Sequence, residues 1–396
     1  MKEAFYKYQA QTSPHPLAIE VKSADGMYMY DKDNKAYLDF VAGVSANTLG
    51  HRPPRVNQAI KDQLDQYAHV MVYGEFVQEP SVKLCELLIS QLENTLDSVY
   101  LVNSGTEATE AALKLAKRVT GRTEMVGAKN AYHGNTMGSM SVCGNEEKKS
   151  KFRPLIPGSK FLRFNNFEDL ELISCRTAGV ILETIQGGAG FIVPDPNWIK
   201  AVAERCEAMG SFLILDEIQS GIGRTGKFFG YQHFDIVPDI IICGKGLGGG
   251  MPIGAMIASK SHMDKLMKDP KLGHITTFGG HPVIAAGALA TVTQIIEDRL
   301  MQDIHRKEAL IRQELKHPQI MEIRGKGLML APILQDADLA NDVILECFEQ
   351  GLILFWLLYE PRALRLSPPL NIPDSDIIKA CSIIKKAIDK HYSARI

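Results

Sequence analysis

Two short runs of consecutive apolar residues constrain the fold of this 396-residue chain more than any other feature. Residues 212–215 lead directly into Asp216, and residues 240–242 are separated from Lys245 only by a Cys-Gly dipeptide. Apolar runs without polar alternation are typical of strands buried on both faces, as in parallel sheets covered by helices. Because the carboxyl ends of such strands share a crevice at one edge of the sheet, we expect Lys245 and Asp216 to meet there.

The rest of the central chain indicates an α/β architecture. Helical and strand-like segments alternate between residues 80 and 260, and this alternation predicts a doubly wound, mostly parallel sheet. The predicted helices are 81–93, 106–119 and 197–209, and the predicted strands are 98–102, 179–183, 212–215 and 240–243.

The length of the chain and its flanking segments predict a second domain, since one simple core rarely holds so many residues. We expect residues 1–45 to pack with a small domain of residues 283–396, beside a large domain of residues 46–282. The flanking segments are predicted as a hairpin (27–40), helices (54–67, 282–297, 302–315, 338–350), strands (327–333, 352–358, 363–366), and a last helix with Ile377, Ile378, Cys381, Ile384 and Ile388 on one face.

Composition excludes several classes of partner. The formal net charge of −2 offers no basic surface for nucleic acid or for an anionic membrane. The apolar run at residues 352–358 is far shorter than the roughly 20 residues that a membrane span needs. The seven cysteines are scattered and never form a CxxC pair, which predicts reduced thiols in a cytoplasmic protein.

The predicted meeting of Lys245 with Asp216 suits one cofactor, pyridoxal 5′-phosphate (PLP). Lysine can form a Schiff base with its aldehyde, and a carboxylate can keep its pyridine nitrogen protonated. The glycines at 244, 246 and 248–250 would let a flat ligand approach the backbone. Taken alone, Lys245 could instead be a solvated loop lysine, and Asp216 could be an acid that caps the loop after its strand.

Three other segments could hold parts of such a cofactor. Ser104, Gly105 and Thr106 lie where a strand passes into an alanine-rich helix, and helix N-termini bind phosphate. A simple helix cap is the alternative there. Tyr132 could stack on a cofactor ring or could only pack, and Thr277 could contact a phosphate or lie in an ordinary turn.

Two further patterns carry little weight. Residues 221–226 match GxGxxG, but they neither follow a strand directly nor open a helix, so a dinucleotide site is disfavoured. The eleven histidines show no HExxH motif or other paired ligand spacing, so no metal site is predicted.

Longer motifs extend the pattern over nearly the whole chain. They are residues 37–40 (YLDF), 49–51 (LGH), 368–372 (PPLNI) and the block from 215 to 258, which contains LDEIQSGIGRTGKFFGYQHFDIVPDIIICGKGLGGG. In these motifs the chain resembles the class III PLP-dependent aminotransferases of fold type I, which include ornithine, acetylornithine and 4-aminobutyrate aminotransferases.

The resemblance implies a fold and an activity. The fold would be a mostly parallel, seven-stranded-type sheet in a large domain, with a smaller α+β domain beside it. The enzyme would move an amino group from an ω-amine or amino acid to a keto acid, with 2-oxoglutarate as the expected acceptor. It would work as an obligate homodimer with shared active sites.

The resemblance also implies roles for individual residues. Lys245 and Asp216 would be catalytic, the first through its Schiff base and proton transfer and the second at the pyridine nitrogen. The other expected contacts are Gln219 with the ring hydroxyl, Ile218 and Tyr132 on the two ring faces, Glu183 near the cofactor, Ser104, Gly105 and Thr106 on the phosphate, Thr277 on the phosphate of the neighbouring subunit, and Arg365 on the substrate α-carboxylate.

Three departures from the family pattern concern the substrate. Asn135 stands where ornithine-type members often have arginine, and Gly188 where they commonly have glutamate. Val44 stands where ornithine aminotransferase has a substrate-binding tyrosine. Since that glutamate masks the carboxylate-binding arginine in ornithine aminotransferase, we expect Arg365 to be permanently unmasked and the second substrate to have a less charged far end.

Other activities are compatible with the same lysine and aspartate. The family also contains racemases, a decarboxylase and an aminomutase, and only the products distinguish them. A PLP-binding regulator or scaffold without activity is a further alternative, and a colourless protein without bound cofactor would favour it.

Overall fold

A computed structural model describes residues 1–393 of the chain. The strands are β1 Val21–Asp25, β2 Tyr28–Asp31, β3 Ala36–Asp39, β4 Ser98–Val102, β5 Glu124–Ala128, β6 Ser159–Leu162, β7 Thr177–Glu183, β8 Phe212–Asp216, β9 Ile240–Gly244, β10 Gly254–Ala258, β11 Ile320–Lys326, β12 Met329–Leu334, β13 Leu352–Ile353, β14 Phe355–Trp356 and β15 Leu364–Arg365. The α-helices are α1 Lys2–Tyr8, α2 Ala42–Ser45, α3 Pro54–Gln66, α4 Glu79–Ile89, α5 Gly105–Thr120, α6 Met137–Ser141, α7 Glu146–Lys149, α8 Pro196–Met209, α9 Lys260–Met263, α10 Pro282–Glu297, α11 Ile304–Glu314, α12 Ala337–Glu349 and α13 Asp374–Ser393.

The central feature is a seven-stranded sheet with the order β4-β10-β9-β8-β7-β5-β6. Only β10 runs antiparallel to its neighbours β4 and β9, so the predicted mostly parallel α/β sheet is confirmed. The strands are apolar throughout because both faces are covered. Along β8, Leu213 and Leu215 pack into the larger core, whereas Phe212 and Ile214 pack beneath the alanine-rich face of α5.

The register of the parallel strands brings polar side chains to one edge. Glu183 at the end of β7 pairs directly with Asp216 at the end of β8. Asp216 in turn pairs with Ile242 of β9, and Lys245 follows the last residue of that strand. Since side chains alternate along a strand, Glu183 and Asp216 project on the same face as Ile214, the face that α5 covers.

The two ends of the chain meet in a smaller sheet. The hairpin strands β2 and β3 were predicted, and β3 pairs in parallel with β13. The remaining pairs are β11 with β12 and β14 with β15. This pairing supports the division that we propose, with residues 1–45 beside a small domain of 283–396 and a large domain of 46–282.

Several local predictions need correction. Strands β1, β5, β6, β10 and β11 were not predicted, since β5, β10 and β11 contain glycine, and β1 and β6 are short and partly polar. The run at residues 352–358 is not one buried strand but two short ones, and Leu358 after them is 46% exposed. Ile378 is likewise 46% exposed, one position off the buried face of α13. Within residues 1–393, no helix combines the length and apolar character of a membrane span.

Candidate active site

A cavity of about 490 Å³ lies at the carboxyl edge of the central sheet, and we call it the chamber. Twelve of the fourteen expected site residues line it. They are Val44, Gly105, Thr106, Tyr132, Asn135, Glu183, Gly188, Asp216, Ile218, Gln219, Lys245 and Arg365. Ser104 caps α5 through its hydroxyl, as the helix-cap alternative predicted, and Thr277 lies exposed on the surface outside the chamber.

Lys245 begins the turn that follows β9, with a backbone φ of +40°. A positive φ is uncommon for a residue with a side chain, and such strain is concentrated at functional sites. Burial lowers the pKa of the amine, while the nearby Asp216 carboxylate opposes this effect and the Arg365 guanidinium adds to it. An amine with a lowered pKa is a better nucleophile near neutral pH.

Asp216 is 4% exposed, and its carboxylate has two donors. Nδ1 of the buried His133 lies 2.7 Å from Oδ2, and the backbone N–H of Ile218 donates to Oδ1 at 3.0 Å. Nε2 of His133 has no partner among the described residues. The pair fixes the direction of the carboxylate and leaves it free to meet a cation from the chamber.

Sequence reasoning missed the part of His133, although this residue directly follows Tyr132. Nothing in the sequence shows that residues 133 and 216, which lie on different elements, come within hydrogen-bond distance. Its neighbour Tyr132 faces the chamber as expected, and burial raises the pKa of its phenol.

Glu183 is held by the backbone at both of its oxygens. The N–H of Gly187 donates to Oε1 at 2.9 Å, and the N–H of Tyr132 donates to Oε2 at 3.1 Å. Burial raises the pKa of this carboxyl to about 7, and the nearby Asp216 adds to the rise, whereas His133 and the two N–H groups oppose it. Glu183 therefore joins two chamber loops and titrates near neutral pH.

The first turn of α5 enters the chamber opposite Ile218. A Cβ on Gly105 would lie 2.6 Å from Cδ1 of Ile218, so a side chain at position 105 would force the Ile218 side chain to move. The hydroxyl of Thr106 lies 2.9 Å from that of Thr136 and 2.8 Å from that of Ser139, which ties it to the start of α6. The N–H groups of a helix start remain the natural ligands for a phosphate.

Arg365 also lines the chamber. The residue is 7% exposed, its Nε has no partner, and no carboxylate of residues 1–393 forms an ion pair with it. Burial lowers the pKa of the guanidinium to about 10, so it is still protonated near neutral pH. A buried cation without a counter-charge is costly unless a ligand supplies one.

Comparison with known proteins identifies the family of this chain. The family model described as Aminotransferase class-III matches residues 8–388. The chain belongs to the class III aminotransferases. This aminotransferase is 35% identical over 385 residues to the acetylornithine aminotransferase of Caldanaerobacter subterraneus subsp. tengcongensis, covering 94% of this chain and 95% of that protein. It is 37% identical over 383 residues to the acetylornithine aminotransferase of Bacillus subtilis, with 95% and 96% covered.

Solved structures agree with the sequence relatives. The ornithine aminotransferase of Toxoplasma gondii superposes on this aminotransferase with a TM-score of 0.90 at 30% identity, covering 99% of this chain and 95% of that one. The fold is the fold type I of PLP-dependent transferases, and the enzyme is a PLP-dependent transaminase with amine and keto-acid substrates.

The residues of the chamber fit this cofactor. A lysine with a lowered pKa, a buried carboxylate held by a histidine, and a helix N-terminus all open into one cavity. These groups match the aldehyde, the ring nitrogen and the phosphate of PLP. The predictions of fold, activity and cofactor are therefore confirmed.

Proposed function

We propose that this aminotransferase moves the amino group of an amino acid with an uncharged far end, or of a similar amine, to 2-oxoglutarate. Arg365 carries the proposal, because it is a buried guanidinium on the chamber wall without an ion pair among the described residues. A substrate carboxylate would satisfy it through two parallel hydrogen bonds and orient the Cα–H bond toward Lys245.

Each expected residue then has a part in the reaction. When bound, PLP accepts the amino group and withdraws electrons from the Cα of the substrate. Lys245 would hold the cofactor between turnovers and carry the proton from Cα, which its lowered pKa supports. Asp216 would face the ring nitrogen with His133 behind it, Ile218 and Tyr132 would pack on the two ring faces, and Gln219 would contact the ring hydroxyl.

The phosphate would lie at the start of α5. Gly105 and Thr106 line the chamber there, while Ser104 would contribute as the N-cap at the start of the helix. Glu183 would keep the loops of Tyr132 and Gly187 in register beside the cofactor.

The substrate proposal rests on the three departures from the family pattern. Val44, Asn135 and Gly188 all line the chamber, and none of them carries a charge. The amide of Asn135 can donate to the second carboxylate of 2-oxoglutarate, but it cannot replace an arginine in pairing a full charge. Because Gly188 supplies no carboxylate, a donor with a cationic far end, such as ornithine, would be a poor substrate.

We also propose an obligate homodimer with shared active sites. Thr277 lies exposed outside the chamber of its own chain, and in the dimer it would contact the phosphate bound by the second copy. The same surface carries exposed large apolar residues at Phe76, Val77, Ile275 and Phe278. Sedimentation should give a dimer, and Thr277→Ala should weaken PLP binding; a monomer with full PLP affinity would contradict this.

A cytoplasmic location is a further proposal. All seven cysteines are free thiols, and five of them are buried. Free thiols are usual in a reducing compartment. Recovery of the enzyme in a secreted fraction would contradict this placement.

One measurement tests the substrate proposal directly. The absorbance spectrum of the purified protein is recorded before and after an excess of glutamate. A yellow band that bleaches with glutamate, and returns with 2-oxoglutarate, supports the proposal. A yellow band that glutamate leaves unchanged refutes glutamate as donor, and loss of optical rotation without a keto acid would then favour a racemase.

A further inference from the structure

The short helix α2 is a single left-handed turn. The backbone φ of its four residues is positive, from +51° at Ala42 to +65° at Ser45. Left-handed backbone is unfavourable for residues with a side chain, and a β-branched residue such as Val44, with a φ of +61°, is an outlier there. Such a conformation persists only where its surroundings enforce it. Val44 lines the chamber, so this strain is located at the active site.

The carboxylate of Asp39 holds the start of the turn. The residue is 3% exposed, and its Oδ1 accepts the backbone N–H groups of Val41 at 3.0 Å and of Ala42 at 2.8 Å. Its Oδ2 lies 2.9 Å from Nε2 of His51. One carboxylate therefore fixes the entry into the turn, while the histidine fixes the direction of that carboxylate.

The backbone of this pair is anchored on the turn between β1 and β2. The N–H of Asp39 donates to the carbonyl of Met27 at 2.9 Å, and His51 exchanges two backbone hydrogen bonds with Gly26. Asp39 and His51 belong to the YLDF and LGH motifs of the sequence, which none of the expected cofactor and substrate contacts uses. The motifs therefore have a structural connection to the active site that the sequence does not show.

The end of the turn contacts two groups of the chamber. The hydroxyl of Ser45 accepts the side-chain amide of Gln219 at 3.3 Å. The hydroxyl of Thr48 donates to the carbonyl of Gly246, the residue after Lys245, at 3.1 Å. The position of the turn is therefore transmitted to the side chain expected at the ring hydroxyl and to the backbone beside the Schiff-base lysine.

The start of the turn is tied to the strand of the substrate arginine. Ser367, two residues after Arg365, donates its backbone N–H to the carbonyl of Phe40 at 2.9 Å. Its hydroxyl donates to the carbonyl of Val41, also at 2.9 Å. A displacement of the turn would thus reach the substrate side of the chamber as well as the cofactor side.

We propose that Asp39 and His51 are positioning residues for amino transfer. Their hydrogen-bonded pair keeps residues 42–45 in the left-handed turn, which sets Val44 in the chamber and directs the amide of Gln219. Neither Asp39 nor His51 lines the chamber, so both act through the turn and not by contact with the substrate. The inference rests on the roles proposed above for Val44 and Gln219.

Asp39→Ala in the holoenzyme tests this proposal with two measurements. Hydrogen exchange, followed by mass spectrometry, should become about tenfold faster or more in the peptide of residues 40–48, because the turn loses its acceptor. The kcat/KM for norvaline, an amino acid with an uncharged far end, should fall about tenfold or more, since misplaced chamber groups slow the reaction. The loss of the yellow colour of the cofactor gives this constant without any keto acid.

A second substitution distinguishes positioning from a general loss of stability. Ala42→Gly removes the side chain that makes the φ of +51° costly, so in the Asp39→Ala background it should restore about threefold or more of the lost kcat/KM and slow the exchange. Asn34→Gly is the matched control, because Asn34 has a φ of +64° in an exposed turn outside the chamber. It should restore neither quantity.

His317→Gln controls for the loss of a histidine–carboxylate pair. The side chain of His317 is 12% exposed, against 13% for His51, and it pairs with Asp389 at 3.0 Å outside the chamber. Its replacement should change neither the exchange of residues 40–48 nor kcat/KM. If Asp39→Ala is too unstable to purify, His51→Leu, which leaves the carboxylate without the ring that directs it, gives the same comparison.

Three outcomes overturn the proposal. They are unchanged exchange in Asp39→Ala, faster exchange with an unchanged kcat/KM, and a rescue by Asn34→Gly equal to that by Ala42→Gly. If norvaline leaves the yellow band of the unmodified enzyme unchanged, the proposed class of donor is wrong, and PLP affinity from equilibrium dialysis then takes the place of kcat/KM. A lower PLP affinity in Asp39→Ala that Ala42→Gly reverses supports the role of the pair through Gln219, and an unchanged affinity overturns it.

Discussion

The carboxyl edge of the central sheet and the wall opposite it are built by different means. Glu183 and Asp216 are paired in register on adjacent strands, and Lys245 follows the next strand. The opposite wall consists of a glycine loop at residues 186–191 and a hairpin of two two-residue strands, β14 and β15. The edge is fixed by the register of longer buried strands, whereas the wall is fixed by short backbone pairings and by the contact of Tyr359 with Gly188.

This difference separates chemistry from specificity. Moving a group at the edge would require a change of strand register, which would turn every buried side chain to the other face. A residue of the wall can change with little effect on the core. We therefore expect substitutions at the edge to abolish the reaction and substitutions in the wall to change which substrate is used.

The largest effect is expected for Lys245→Ala. Without the amine there is neither a covalent anchor for PLP nor a carrier for the proton, and turnover should fall by at least about 10³-fold. Circular dichroism should show an unchanged fold. Lys200→Ala, on the exposed face of α8, is the matched control and should keep full activity. Activity within tenfold of the unmodified enzyme would contradict the assignment.

Two adjacent carboxylates give the second test. Asp216 faces the chamber, whereas Glu217 is buried beneath it and accepts hydrogen bonds from Thr184, Ser220 and two backbone N–H groups. Asp216→Asn should lower PLP affinity and turnover together by about 10³-fold. Glu217→Gln should instead lower the free energy of unfolding by about 2 kcal/mol. Equilibrium dialysis measures the PLP affinity of both variants, and urea unfolding measures their stability. If both variants lost PLP affinity and stability to the same extent, the different roles of Asp216 and Glu217 would be contradicted.

A smaller effect is expected in the wall for Arg365→Ala. The loss of a buried, bidentate partner should lower kcat/KM for norvaline by about 10²-fold, whereas butylamine, which is norvaline without its carboxylate, should change little. The rate of colour loss of the cofactor measures both. An equal loss for both amines would show that Arg365 acts only through the structure of the wall.

Glu183 joins the two regions and gives a pH test. Its pKa is raised from 4.5 to about 7 in the folded protein, so the folded state binds more protons than the unfolded state between these values. Stability from this group therefore falls as pH rises from 4.5 to 7, by on the order of 2 kcal/mol. Urea unfolding of cofactor-free protein should show this fall, and Glu183→Gln should lack it. If stability changed with pH in the same way in the unmodified protein and in Glu183→Gln, the raised pKa of Glu183 would be contradicted.

The edge could be predicted from the sequence because its signals are local. Continuous apolar runs before Asp216 and Lys245 identify buried strands, and strands of one direction end at one edge. The sheet was predicted less completely, since β5 and β6 lack such runs and the short run of β10 directly follows a glycine. The order of those strands depends on packing between distant segments.

The wall could not be predicted in the same way. In the sequence, Gly188 departs from the family pattern and Arg365 matches it, but each was seen in isolation. Nothing in the sequence indicated that the ring of Tyr359 lies against Gly188. Likewise, nothing local joins His133 to Asp216. Such contacts form between elements that are far apart in the chain, and they depend on how loops fold over the sheet edge.

The smallest expected effect tests the contact that defines the wall. Gly188→Ala would place a Cβ 3.0 Å from the Tyr359 ring, which must then move by a few tenths of an ångström. We expect the free energy of unfolding to fall by about 1 kcal/mol, as for mild overpacking. In the Tyr359→Ala background the same change should cost almost nothing, so the double-mutant cycle should give a coupling of about 1 kcal/mol. Additive effects would mean that the ring does not fill this space, and the wall would then be held by the pairing of β14 with β15 and by the backbone hydrogen bond from Tyr359 to Gly188.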